Sequence, residues 1–178
     1  MTNEDDRRRL LAIARSAIVA HVTGAPPLAV DRTGVLSRPG GAFVTIHNRG
    51  ELRGCIGHIE ANEPLGVVVA RCAVAACSTD PRFPSVTVPE LADVDLELSL
   101  LGPLEAIVGP DDIEIGRHGL VVSRGWQRGL LLPQVATEWR WDAATFLAHT
   151  CQKAGLPRDA WQRGAQLWRF DAEVFSER

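Results

Sequence analysis

A thiol, a guanidinium and an imidazole lie together in Glu51-Leu52-Arg53-Gly54-Cys55-Ile56-Gly57-His58. The thiolate of a cysteine is its nucleophilic form, and a nearby cation such as Arg53 favours that form. Gly54 and Gly57 thin the side-chain cover around Cys55, and glycine inside a strand marks a bulge or a close approach of backbone or ligand. Against this stands the ordinary behaviour of free cysteine, a small buried hydrophobe. A second preset group lies in Asp80-Pro81-Arg82-Phe83-Pro84, where two prolines stiffen a loop that presents a carboxylate and a guanidinium. An arginine held this way binds an oxyanion with little further ordering.

Metal binding is not expected. Cys55 and His58 supply two ligands where structural zinc needs about four and catalytic zinc about three. Cys72 and Cys77 are five residues apart, about 140° around a helix, and are read as core. Phosphate-loop, dinucleotide and serine-hydrolase motifs are absent, and no cofactor is expected.

The elements that must position these groups follow from periodicity. Residues Asn3 to about His21 carry Leu10, Leu11, Ile13, Ala14, Ala17 and Ile18 at helical spacing, an amphipathic first helix. Ala42–His47 alternates, Asn48-Arg49-Gly50 turns, and Leu52–Ile56 returns, so Cys55 falls on the second strand of a hairpin. A simple period of two puts Arg53, Cys55 and Gly57 on one face. Asn62 is a candidate N-cap for a helix from Glu63 to Ser78 that is apolar almost all round, hence central and buried. Val94–Leu101 alternates cleanly, and its Asp95 and Glu97 read as a solvated sheet face. Leu120–Arg124 and Leu130–Leu132 continue a strand-rich meander. Pro133 opens a short helix at Gln134–Trp139, Asp142 caps Ala143–Ala154, and Leu167–Phe175 is a last strand.

With 178 residues, 46% hydrophobic and 23% charged, the chain has the size and composition of one globular domain. A net charge of -3 gives no basic surface for nucleic acid. No stretch is long and apolar enough for a bilayer. Without a signal peptide, the four cysteines are expected to be reduced and the protein cytoplasmic.

Leu52-Arg53-Gly54-Cys55-Ile56-Gly57 resembles the signature hexapeptide (LRGCIG) of the AMMECR domain family, known in bacteria as AmmeMemoRadiSam system protein A. The resemblance continues through Asp80-Pro81-Arg82-Phe83-Pro84, Gly116-Arg117-His118-Gly119-Leu120 and Leu131-Leu132-Pro133-Gln134-Val135-Ala136. It extends to Cys151-Gln152-Lys153-Ala154-Gly155-Leu156-Pro157 and Trp168-Arg169-Phe170, covering most of residues 40 to 175. It implies one AMMECR-type domain over residues 1–178. The implied fold is α+β, with antiparallel or mixed sheets, flanking helices, and a larger and a smaller subdomain with a cleft between them. It also implies a Memo-like protein and a radical-SAM protein as partners.

Carried over residue by residue, the resemblance makes Cys55, His118 and Asp80 signature positions without implying an established reaction, and their side-chain chemistry makes them the candidate catalytic groups. Arg53, Gly54, Gly57, Arg82, Phe83 and Gln134 become candidate binding groups. Two functions follow. In an enzyme, Cys55 attacks a small anionic substrate with His118 as base, while Arg82 and the helix at Gln134 hold the anion. In a non-catalytic adaptor, the same cleft recognises a peptide or partner. The radical-SAM association adds a third, weaker idea, hydrogen abstraction at Gly54 or Gly57.

Overall fold

The computed structural model describes residues 2–177 and divides the chain into two compact units, residues 2–101 with 173–177 and residues 102–172. In the first unit, helix α1 (Glu4–Thr23) starts at Asn3, whose side chain accepts from the Asp6 N–H while the Asp6 carboxylate accepts from the Asn3 N–H. That reciprocal cap satisfies two otherwise orphaned donors. Leu10, Ala14 and Ile18, four residues apart, are fully buried. Strands β1 (Gly41–Asn48) and β2 (Glu51–His58) form the expected hairpin, with Arg49 and Gly50 at φ of 53° and 86° in the turn. Positive φ at both central residues matches the twist of the flanking strands.

Helix α2 (Leu65–Ser78) follows, with Pro64 rather than Asn62 at its cap position. Asn62 instead meets the His58 Nε2 through its side-chain oxygen at 3.2 Å. Strand β3 (Val94–Leu101) pairs antiparallel with β1, so the order is β2-β1-β3 and β2 is an edge strand. Val44, Ile46, Leu96, Leu98 and Leu100 form one sheet face and pack with Leu10 and Ile18 of α1 and Val68, Val69, Cys72 and Ala73 of α2. Full burial of each large aliphatic side chain contributes about 1.5–3 kcal/mol.

The second unit is built on an antiparallel sheet of β4 (Glu105–Ala106), β5 (His118–Arg124), β6 (Gln127–Leu131) and β7 (Gln166–Ser176). β7 lies between β4 and β5, and β6 follows β5. Helices α3 (Pro133–Glu138) and α4 (Ala143–Lys153) complete the unit, α4 capped by the Asp142 side chain accepting from the Thr145 N–H at 2.8 Å. Phe146, Leu147 and Cys151 of α4 pack with Leu120, Val122 and Leu167 of the sheet. The last residues of β7, from Glu173 on, belong to the first unit, where β7 neighbours β3. The chain is thus α+β, with four α-helices among the described residues. None of them is long and apolar enough to cross a membrane.

Candidate functional site

The surroundings of Cys55 begin with strand register. Thr45 pairs with Cys55 and Ile46 with Gly54, but His47 pairs with Leu52, so Arg53 is an extra, unpaired residue. Such a bulge breaks the alternation of side chains, and the expected grouping of Arg53 with Cys55 by simple period does not hold. Arg53 turns to the segment after α2 instead. It forms an ion pair with Glu90 at 2.8 Å and donates to the Pro84 and Ser85 carbonyls at 2.8 and 3.3 Å. Glu90 also accepts from the Thr87 backbone and hydroxyl at 2.8 Å each. These bonds hold the Glu90 carboxyl down at about 2, Arg53 being the leading cause.

Cys55 has its N–H turned away from β1, where the Asp80 Oδ2 accepts it at 2.9 Å. Thr45 and Cys55 are therefore a non-hydrogen-bonded pair, the kind in which cross-strand side chains come closest. The Thr45 hydroxyl and the Cys55 Sγ are 3.2 Å apart. Glu97 pairs with Thr45 from the other side, completing a row Cys55-Thr45-Glu97 across one face of the sheet. Ser99, on the same face, is fully buried, and its hydroxyl has no hydrogen-bond partner among the described residues.

Asp80 is buried and spends both oxygens locally. Oδ1 accepts from the Arg82 backbone N–H at 3.1 Å and from its Nε at 3.0 Å, and Oδ2 also accepts from the Arg82 Nη2 at 2.8 Å. The side chain that Asp80 orients is Arg82. The Arg82 hydrogen bonds lead in holding the Asp80 carboxyl well below the usual carboxylate range. The Arg82 Nη2 also reaches the Cys55 carbonyl at 3.5 Å. An acid-base pair thus occupies both outward backbone groups of Cys55, as a neighbouring strand would. The Arg82 side chain remains 54% exposed and lies over the Phe83 ring, 5.4 Å from its centroid. Its Nη1 makes no hydrogen bond among the described residues.

Burial pushes the Cys55 thiol up. The Thr45 bond and Arg82 oppose the shift, while Asp80 and Glu97 add to it. The two glycines have internal roles. A Cβ on Gly54 would lie 2.2 Å from the Ala76 carbonyl oxygen of α2, and one on Gly57 would lie 2.3 Å from the Phe43 ring. The space expected to admit a ligand at these positions is filled by helix and ring.

His118 belongs to the second unit. Its Nδ1 accepts from the Glu114 N–H at 2.9 Å, which leaves the ring proton on Nε2, 3.7 Å from the Asp171 Oδ1. Burial leads in holding its pKa below the ordinary histidine value. With Arg117, Arg169, Glu105, Asp112 and Asp171 it lines a polar cavity of about 330 Å3. Arg117 pairs with Asp171 at 3.0 Å and Arg169 with Glu105 at 3.0 Å. Gln134 is half-buried in the first turn of α3, a helix of six residues. Among the described residues no group of three or more His, Cys, Asp or Glu side chains is placed to hold a metal ion.

Thr45, Glu90, Glu97 and Asp171 are not among the candidate residues that the sequence marks. Thr87-Val88-Pro89-Glu90 carries a readable capping-box pattern that would have drawn attention to Glu90. Thr45 and Glu97 depend on strand register, for which no local signal exists.

These features define an α+β protein of two sheet-based units, with a partly buried thiol on an edge strand guarded by an aspartate-arginine pair. The AMMECR1 family model matches residues 11–175, and the chain belongs to that family. It is 46% identical to a protein of Methanothermobacter thermautotrophicus, over 98% of this chain and 96% of that one. It is 41% identical to one of Methanococcoides burtonii, over 99% and 92%. The solved structure of uncharacterized protein PH0010 from Pyrococcus horikoshii is similar, with a TM-score of 0.87 and 38% identity, covering 94% of this chain and 89% of that one.

Proposed function

We propose that this AMMECR1-family protein acts as a recognition module whose contact group is the Asp80-Arg82-Phe83 loop beside the Cys55 strand. The observation that carries this reading is the double use of Asp80. One carboxylate fixes the Arg82 guanidinium and caps the Cys55 N–H, so a half-exposed cation is presented in a preset orientation. A guanidinium held in this way suits a carboxylate or phosphate group on a partner. Strand addition at Cys55 is disfavoured, because its outward backbone groups are already bonded. The partners to try first are the Memo-like and radical-SAM proteins that the family resemblance implies.

The enzyme reading asks Cys55 to be a thiolate at neutral pH. Burial and two nearby carboxylates work against that, and His118 spends its Nδ1 on the Glu114 backbone within its own unit. Pull-downs with purified Memo-like and radical-SAM proteins distinguish the readings. For the module, Cys55→Ser retains binding and Arg82→Ala loses most of it. Retained binding in Arg82→Ala overturns the reading. So does a Cys55 alkylation rate that titrates well below the free-thiol value of about 8.5 and loses this in His118→Ala.

A further inference from the structure

The first unit contains a concave feature built from residues other than those around Cys55. Helices α1 and α2 and the segment 24–32 line an apolar cavity of about 740 Å3 that opens to solvent. Protein interiors are close-packed, with few voids larger than a water molecule. A space of this size instead lies within the range of small-molecule sites, about 300–1,000 Å3.

Its walls account for a feature of α2. Val68, Val69, Cys72 and Ala73 face the core, while Val67, Ala70 and Val74 are only half-buried and line the cavity. The all-round apolarity that reads as a central buried helix is therefore divided between core and cavity. Ile13 and Ala17 of α1 form the facing wall.

The segment over the cavity is tied at its far end. Asp31 and Thr33 accept from the Arg9 guanidinium, and the Asp31 carbonyl lies against Gly66 of α2. Between these ties and the end of α1, Pro26 and Pro27 have no N–H to donate. Leu28 lines the cavity yet stays 70% exposed.

The charged groups at the mouth differ in availability. Asp31 is committed to Arg9 and Thr33, and Arg71 to Glu63 at 2.7 Å. Arg32 makes no ion pair among the described residues, and the exposed imidazole of His21 lies on the same rim. An apolar chamber with an uncommitted cation at its mouth is complementary to an apolar chain that ends in one acid group. We infer that this cavity binds a single-chain amphiphile with an anionic head, of the fatty-acid carboxylate class.

Sodium decanoate, kept below its micellar concentration, is the probe. It is titrated into the full chain and followed by calorimetry and by the methyl NMR signals of Ile13, Leu28, Val67 and Val74. Saturable binding that shifts these methyl signals supports the inference. Ala70→Phe, which fills the chamber, should weaken binding about tenfold or more, a loss of about 1.4 kcal/mol. Ala12→Trp, at an exposed rim position, serves the same purpose if Ala70→Phe does not fold. Arg32→Glu should weaken decanoate about threefold and leave decanol unchanged, as expected for an exposed charge contact. The inference is overturned by absence of saturable binding, by equal affinity in the chamber-filling variants, or by capture of anionic vesicles without binding of free decanoate.

Discussion

Asp80 accepts the backbone N–H of Cys55 at 2.9 Å while holding Arg82, whose guanidinium reaches the carbonyl of the same cysteine. An edge strand exposes unpaired donors and acceptors that invite another strand. Here a carboxylate and a guanidinium from one loop close that edge at the position that carries the thiol.

Asp80→Asn replaces the charge but keeps the shape, and puts an amide N–H where an acceptor is needed. The expected cost is about 1–3 kcal/mol, below the usual penalty for breaking a buried pair because Arg82 is half in water. Urea unfolding at pH 7 measures it. The Asp80 carboxyl lies below its ordinary range in the folded chain, so its contribution is complete above about pH 4. The gap between wild type and variant should therefore narrow on acidification, as the folded carboxyl takes its proton.

Glu90 gives a window that is easier to reach. Its folded value of about 2 lies below the unfolded value of about 4.3, so the stability it confers is present above that value and lost as pH falls towards 2. Glu90→Gln should lower stability by about 1–3 kcal/mol at pH 7. It should also flatten the acid limb of the stability-pH curve, which thermal melts across pH 2–6 would show. An unchanged slope would remove Glu90 from the acid response.

The two glycines beside Cys55 should respond differently to alanine. At Gly54 the obstacle is the α2 backbone, so Gly54→Ala must displace a helix and should cost about 3 kcal/mol or more. At Gly57 the obstacle is the Phe43 ring, so Phe43→Leu should recover part of the loss in Gly57→Ala. A double-mutant cycle in urea tests this. Full additivity of Gly57→Ala and Phe43→Leu would contradict the geometry.

His118 should titrate below about 6.5, the ordinary value, because burial disfavours its charged form. As pH falls below that value, the unfolded chain takes the proton first and stability declines. Asp171 raises the His118 value, so Asp171→Asn should lower the midpoint further. Imidazole NMR signals followed between pH 4 and 8 report both numbers directly.

Glu97→Gln bears on the thiol itself. Glu97 lies across Thr45 from Cys55 and contributes to its upward shift, whereas the Thr45 hydrogen bond opposes it. Alkylation of Cys55, with the other three cysteines replaced, should shift to lower pH in Glu97→Gln and to higher pH in Thr45→Val. Identical profiles would show that the row across the sheet is electrostatically inert.

Much of the fold was legible because its signals are local. The α1 repeat, the Arg49-Gly50 turn, the alternation of Val94–Leu101 and the Asp142 cap each operate within a few residues. Their observed limits lie within two residues of expectation, and those of Val94–Leu101 coincide with it. The bulge at Arg53 was not legible, because it arises from pairing between strands and leaves no trace in the alternation of β2 alone. One extra residue there sends Arg53 to Glu90 and leaves Thr45 and Asp80 as the neighbours of Cys55. Gly54 and Gly57 stand out in the sequence for their missing side chains, but what fills the space depends on tertiary packing.

Strand β7 is used by both units, its first residues between β4 and β5 and its last beside β3, where the Glu177 N–H donates to the Leu96 carbonyl. During vectorial synthesis β3 leaves the ribosome long before its partner does. At roughly 5–20 residues per second, the outer edge of β3 must wait several seconds without a neighbour. Neither sheet closes until β7 emerges, so a stall or premature stop between Arg124 and Gln166 would leave two open edges, those of β3 and β5, in the same nascent chain. Chaperone demand and proteolytic loss should therefore be concentrated on chains interrupted just before Gln166.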